Sequence, residues 1–207
     1  MPETTKNTPE DSLQKENIIS GLEVISFTGT VDFENWLRLN YKNSNGIWIR
    51  FYKKNVAIAS INYEQALEIA LCYGWIDGQL KKLDEVSYIQ KFTPRSPKSM
   101  WSKRNVEKAK RLIKEEKMQP SGLNEFEKAK ADGRLEIAYD SPENMVVSDD
   151  FLNEIMKNKS AYDFFQTLNK TNLYTIGWRL QTSKTAVTRQ KRITAIIEKL
   201  EKQKKFH

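Results

Sequence analysis

The sequence predicts an α+β fold: a small antiparallel or mixed sheet with helices, followed by a helical C-terminal module. Two observations predict it. Ile47–Tyr52 (IWIRFY) places Ile47, Ile49 and Phe51 on one face and Trp48, Arg50 and Tyr52 on the other, the period of a strand. Beyond Asp149, by contrast, every patterned segment has helical spacing. These patterns divide the chain into a disordered lead-in (1–20), an α+β part (21–133), a linker (134–148) and a helical module (149–207).

In chain order, MPETTKNTPEDSLQKEN is polar and carries prolines, so order is expected from Gly21. Glu23–Phe27 (EVISF) has strand character, and Thr30 or Asp32 is placed to cap a helix bearing Phe33, Trp36, Leu37 and Tyr41. Asn43–Gly46 is a turn before the Ile47–Tyr52 strand. Asn62 caps a helix to about Tyr73, in which Tyr63, Ala66, Leu67, Ala70 and Leu71 keep helical spacing and Gly74 is the stop. Asp77-Gly78 reads as a turn pair, and Val86–Phe92 as another strand. A helix is expected from Ser102 to about Lys117, with Val106, Ala109 and Ile113 inward. Ser121 is placed to cap a shorter one that Gly133 ends. Arg134–Asp149 lacks periodicity after Tyr139. Four helices follow, over Asp150–Lys157, Ser160–Leu168, Leu173–Thr182 and Thr185–Glu201.

Composition excludes several chemistries. The single histidine, His207, follows the polar run EKQKK, and the single cysteine is Cys72. Zinc takes ~4 ligands drawn mostly from Cys and His, and a Ser-His-Asp or Cys-His pair needs a histidine held by packing. No metal and no cofactor are therefore expected. Cys72 lies in the most apolar helix, where a core thiol is the simpler reading than a reactive one. Neither GxGxxG nor GxxxxGK[ST] is present. No run reaches the ~20 apolar residues of a membrane span, and the N-terminus lacks a signal-type apolar stretch, so integral membrane association is not expected and a cytoplasmic location is.

Net charge is +7 and concentrated: Lys91–Lys117 holds ten Lys/Arg against three Glu, and Lys184–Lys205 eight against two. Such segments either recruit anions (an anionic small molecule, or weak unspecific nucleic acid) or are solvated helix faces. The sharpest anion candidate is Phe92–Asn105. There Arg95, Ser99, Trp101, Ser102 and Asn105 surround a helix start whose free N–H groups favour negative charge, with Trp75 and Asp77 as further candidate wall residues. An ordinary capped helix and a turn aspartate account for the same residues. Arg189 falls near the inward stripe of the last helix (Ala186, Ile193, Ile196, Ile197, Leu200), so an acidic partner is expected for it.

Three runs carry a resemblance: ALCYGWIDG (Ala70–Gly78), FTPRSPKSMWSKRN (Phe92–Asn105) and TAVTRQKRI (Thr185–Ile193). With them the chain resembles, from about Phe33 to Leu200, the YdeI/OmpD-associated family, also labelled bacteriocin-protection proteins. The stretch from about Ser148 to Leu200 looks like the small module that gives the family its name. The resemblance implies a bacterial protein without an established enzymatic activity, in a family associated with envelope stress or resistance to antibacterial peptides. It supplies no catalytic residues. One departure is Glu116-Lys117, where the family pattern leads one to expect a glycine.

The expected function is a non-catalytic stress- or bacteriocin-protection protein with a small anionic-ligand pocket. Its alternatives are a small enzyme using the Asp77 carboxylate with Arg95, and a nucleic-acid binder using the two basic segments. No protein partner can be named from the sequence.

Overall fold

The computed structural model describes residues 14–207. It forms two compact units: residues up to Lys98 with Lys108–Glu127, and Ser99–Glu107 with Lys128–His207. Together they make an α+β protein, with one five-stranded mixed sheet in the first unit and a helical second unit.

The sheet begins with β1 (Gln14–Ile19) and β2 (Leu22–Ser26), an antiparallel hairpin. Its two loop residues, Ser20 and Gly21, both lie at positive φ (52° and 76°), the turn geometry whose twist matches that of the strands. Residues 14–20, expected in a disordered lead-in, are thus ordered. An edge strand obtains its ladder from its neighbour's backbone, so QKENII needs no alternation of its own. The remainder of that lead-in, residues 1–13, lies outside the described residues.

α1 (Thr30–Asn40) carries the chain over to β3 (Ile47–Tyr52), which pairs with β2 in parallel. α2 (Tyr63–Cys72) follows, and then β4 (Trp75–Lys82) and β5 (Ser87–Pro94) form a hairpin that inserts β5 beside β3. The strand order is β1-β2-β3-β5-β4. Ile25, Ile47, Ile49, Phe51 and Phe92 are buried on the face that receives α1 and α2. Phe33 meets Phe92 edge-on with centroids 6.0 Å apart, and Tyr63 meets Phe51 at 6.3 Å. Full burial of such side chains stabilises by about 1.5–3 kcal/mol each, so this aromatic layer contributes to the cohesion of the unit together with its aliphatic neighbours. The opposite face carries a smaller cluster of Val24, Trp48 and Ile89. Trp48 Nε1 donates to the Ile19 carbonyl (3.0 Å), and the Lys81 ammonium lies 4.8 Å from its ring centre.

Local chemistry explains the boundaries. Asn62 accepts from the Gln65 amide (3.0 Å) while the Gln65 side chain accepts from the Asn62 amide (3.1 Å), a reciprocal box that starts α2. Gly74, at φ +79°, ends it. Three sequence expectations need correction. α1 is capped at Gly29 without a side-chain bond; Thr30 and Asp32 lie inside its first turn, where Asp32 accepts from the Thr28 hydroxyl. Asp77-Gly78 lies within β4 at a register shift between Asp77 and Leu80 rather than in a turn, since pairing with β5 outweighs the local turn preference. Ser121 sits inside α4 (Pro120–Ala131), which opens on Pro120, whose missing N–H costs nothing at a first helical position.

α3 (Lys103–Lys114) ends at Glu116, held at φ +56°, with the Lys117 amide donating back to the Leu112 carbonyl (2.9 Å). This is the left-handed stop that glycine normally provides, at the position where the sequence departs from the resembled pattern.

The second unit contains α5 (Asp149–Ile155), α6 (Lys159–Phe165), α7 (Lys170–Gln181) and α8 (Ala186–Glu201). Asn158, Asn169 and Thr185 cap the last three by accepting from the third helical amide, each at 3.1 Å. Phe151, Ile155, Ala161, Phe165, Ile176, Leu180, Ile193, Ile196 and Leu200 make one apolar core. The Phe206 amide donates to buried Asn172 (2.8 Å), and the Phe206 ring lies between Arg179 (5.0 Å) and Lys199 (4.3 Å). No helix among the described residues is long and apolar enough to cross a membrane.

Candidate functional site

The seven residues singled out from the sequence divide between the units. Trp75, Asp77 and Arg95 belong to the first, and Ser99, Trp101, Ser102 and Asn105 to the second. Most have structural duties. Trp75 is 1% exposed, stands edge-on to Trp36 at 5.7 Å and donates from Nε1 to the Tyr41 carbonyl (3.3 Å). Asp77 accepts from the Tyr63 hydroxyl (2.9 Å) and, at 3.4 Å, from the Gln90 amide, which also donates to the Gly78 carbonyl (2.8 Å). Arg95 is 7% exposed, and its backbone amide donates to the Gly74 carbonyl (2.9 Å).

In the second unit Ser102 caps α3 as expected, its Oγ accepting from the Asn105 amide (3.1 Å). Trp101 and Asn105 are 1% and 6% exposed. The Trp101 carbonyl accepts from Tyr139, whose own carbonyl accepts from Lys103, a short parallel bridge between two irregular segments. The Ser99 carbonyl accepts from Arg134 (3.0 Å), a nearly buried arginine that also binds Asp132 at 2.8 Å. No motif in the sequence marks Arg134; only the Asp132 two residues before it hints at the pair.

Several residues of the basic segments are engaged within their own units. Lys108 reaches Glu64 (3.1 Å) and Glu68 (2.9 Å), Arg111 reaches Glu68 (2.5 Å) and Glu115 (3.1 Å), Lys117 reaches Glu115 (2.8 Å), and Lys103 reaches Asp140 (2.9 Å). The acidic partner expected for Arg189 is Asp150. Nε and Nη2 hold both its oxygens (2.6 and 2.8 Å), while the guanidinium also donates to Ser148 Oγ (2.6 Å) and the Leu180 carbonyl (2.7 Å). Arg189's hydrogen bonds hold the Asp150 carboxyl far below the usual carboxylate range. Arg192 donates to the Arg179 carbonyl (2.5 Å) and to Thr182 (3.0 Å).

The first unit also contains a cavity of about 480 Å³ that no sequence motif announced. α1 supplies Glu34, α2 supplies Glu68, Ile69 and Cys72, and the end of α3 supplies Leu112 and Glu116. Burial first, then the charges of Glu34 and Glu68, push the Cys72 thiol up to about 11, so it is protonated and a poor nucleophile at neutral pH. Among the described residues no group of three or more His, Cys, Asp or Glu could hold a metal ion.

Comparison with known proteins adds two family matches. Residues 25–125 match a domain of unknown function (DUF8412). No curated protein and no solved structure matches the chain. The remaining match, over residues 144–203 and so over α5–α8, is to the family described as bacteriocin-protection, YdeI or OmpD-associated.

Proposed function

We propose that the protein protects a bacterial cell against bacteriocin-type peptides or the stress they cause, and that it does so by binding rather than by turnover. The observation that carries this reading is the family match over residues 144–203. The state of the reactive groups supports it. The Cys72 thiol is pushed up to about 11, the Asp77 carboxylate is held by Tyr63 and Gln90, and Arg189 is fixed on Asp150. A protector that binds acts in proportion to its amount, whereas one that turns over its target protects at traces.

The test is a killing curve on cells expressing graded amounts of the full chain and then exposed to a bacteriocin. Survival rising in step with expression is the expected result. No protection at any level, or full protection at trace expression, would overturn the proposal.

A further inference from the structure

The cavity of the first unit combines an apolar floor with an acidic rim. Ile69, Leu112 and the protonated Cys72 line the one, and Glu34, Glu68 and Glu116 the other. Its charges are unequally satisfied. Glu68 is shared by Lys108 and Arg111, and Lys117, also on the wall, is held by Glu115. Glu34 and Glu116 form no ion pair with any described residue, so two negative charges face the opening without a counter-charge.

A second observation shows that this charge is felt inside. After burial, the charges of Glu34 and Glu68 raise the Cys72 thiol and outweigh those of Lys117 and Arg111, which lower it, so a net negative potential reaches the apolar floor. A cavity with convergent charge and low-dielectric walls concentrates ions of the opposite sign. Its volume lies within the ~300–1,000 Å³ usual for small-molecule sites. The lack of a metal-ligating group among the described residues turns the choice of cation from a bare metal ion to an organic one.

We propose that this cavity is a binding site for a small aliphatic amine, a diamine or guanidino-amine whose hydrocarbon body rests on Ile69 and Leu112 and whose cationic ends meet Glu34 and Glu116. The site lies wholly in the first unit and goes beyond the protective role proposed from residues 144–203.

The experiment is calorimetric titration and thermal denaturation of the full chain with putrescine and agmatine. 1,4-Butanediol serves as the uncharged control, inorganic phosphate as the anionic control and magnesium chloride as the metal control. Saturable binding of an amine with a raised Tm, and none from the three controls, is expected. Glu34→Gln removes one charge-assisted contact and should weaken amine binding about tenfold. Because Glu34 is exposed, this variant should keep the wild-type Tm. Glu85→Gln, an acid on the β4–β5 loop, serves as the charge control and should bind as wild type. Absence of amine binding, an equal response to magnesium, or equal weakening by both variants would overturn the proposal.

Discussion

Replacing Gly122 by alanine sets two effects of opposite sign against each other. Inside a helix the change is ordinarily favourable by about 1 kcal/mol, because glycine has more backbone freedom to lose. In α4, however, a Cβ at this position would stand 2.1 Å from the Cys72 carbonyl oxygen and 2.7 Å from both the Cys72 carbonyl carbon and the Leu71 oxygen. All three are backbone atoms at the end of α2, so no side-chain rotation relieves the contact, and α4 must move away by about 1 Å. Overpacking of this kind costs about 1–3 kcal/mol, here at the upper end. The shift also loosens the bond from the Gln119 amide to the Cys72 carbonyl (3.0 Å), worth about 1 kcal/mol. Against the helix gain, the net is a loss of about 3 kcal/mol. For a chain of this size that lowers Tm by roughly 6–12 °C. Thermal and urea unfolding of the full chain provide the assay. Gly78→Ala is the control, since its new Cβ would meet only ordinary contacts at 3.7 Å and should stay within about 0.5 kcal/mol of wild type. A Gly122→Ala protein as stable as wild type, or more so, would refute the close approach of α4 to α2.

Glu116→Gly should stabilise by about 1 kcal/mol in urea unfolding, because a side chain at φ +56° carries a left-handed penalty that glycine lacks. Arg189→Ala should cost about 2–3 kcal/mol at neutral pH, as its charge-assisted bonds to Asp150 are lost. It should also alter the acid response. Asp150 has a depressed folded-state pKa, so its contribution is present above the ordinary carboxylate range and is lost as pH falls below about 4. Stability measured across that range should therefore decline less steeply in the variant. Cys72 should resist a thiol-reactive dye in the native protein and label promptly in denaturant, since it is buried and its thiol is pushed up to about 11; fast native labelling would contradict its placement.

Local patterns made much of the fold legible. β3 showed in the alternation of Ile47–Tyr52, α2 in its Asn62 cap and Gly74 stop, and the start of α3 in Ser102. The Arg189 ion pair followed from the cost of leaving an arginine unpaired beside an apolar stripe. What escaped the sequence was decided by pairing across long separations. β1 exists because β2 lies beside it, and Asp77-Gly78 is strand because β5 holds it there, against a turn preference worth less than a ladder. The candidate site was harder still. Trp75, Arg95, Trp101 and Asn105 are residue types that line ligand sites and also fill cores, so residue type by itself does not separate the two uses. The cavity was invisible because Glu34, Glu68, Leu112 and Glu116 come from three helices and a helix end, with no spacing that marks them in the chain.

The claim that the protein protects by binding is tested most directly by mixing the purified full chain with a bacteriocin against which its expression protects. Calorimetry then gives the stoichiometry, and mass spectrometry follows the peptide. The account predicts a saturable complex of fixed stoichiometry in which the peptide keeps its mass after prolonged incubation. A peptide cleaved or modified by less than one equivalent of protein would contradict it, as would the absence of any complex.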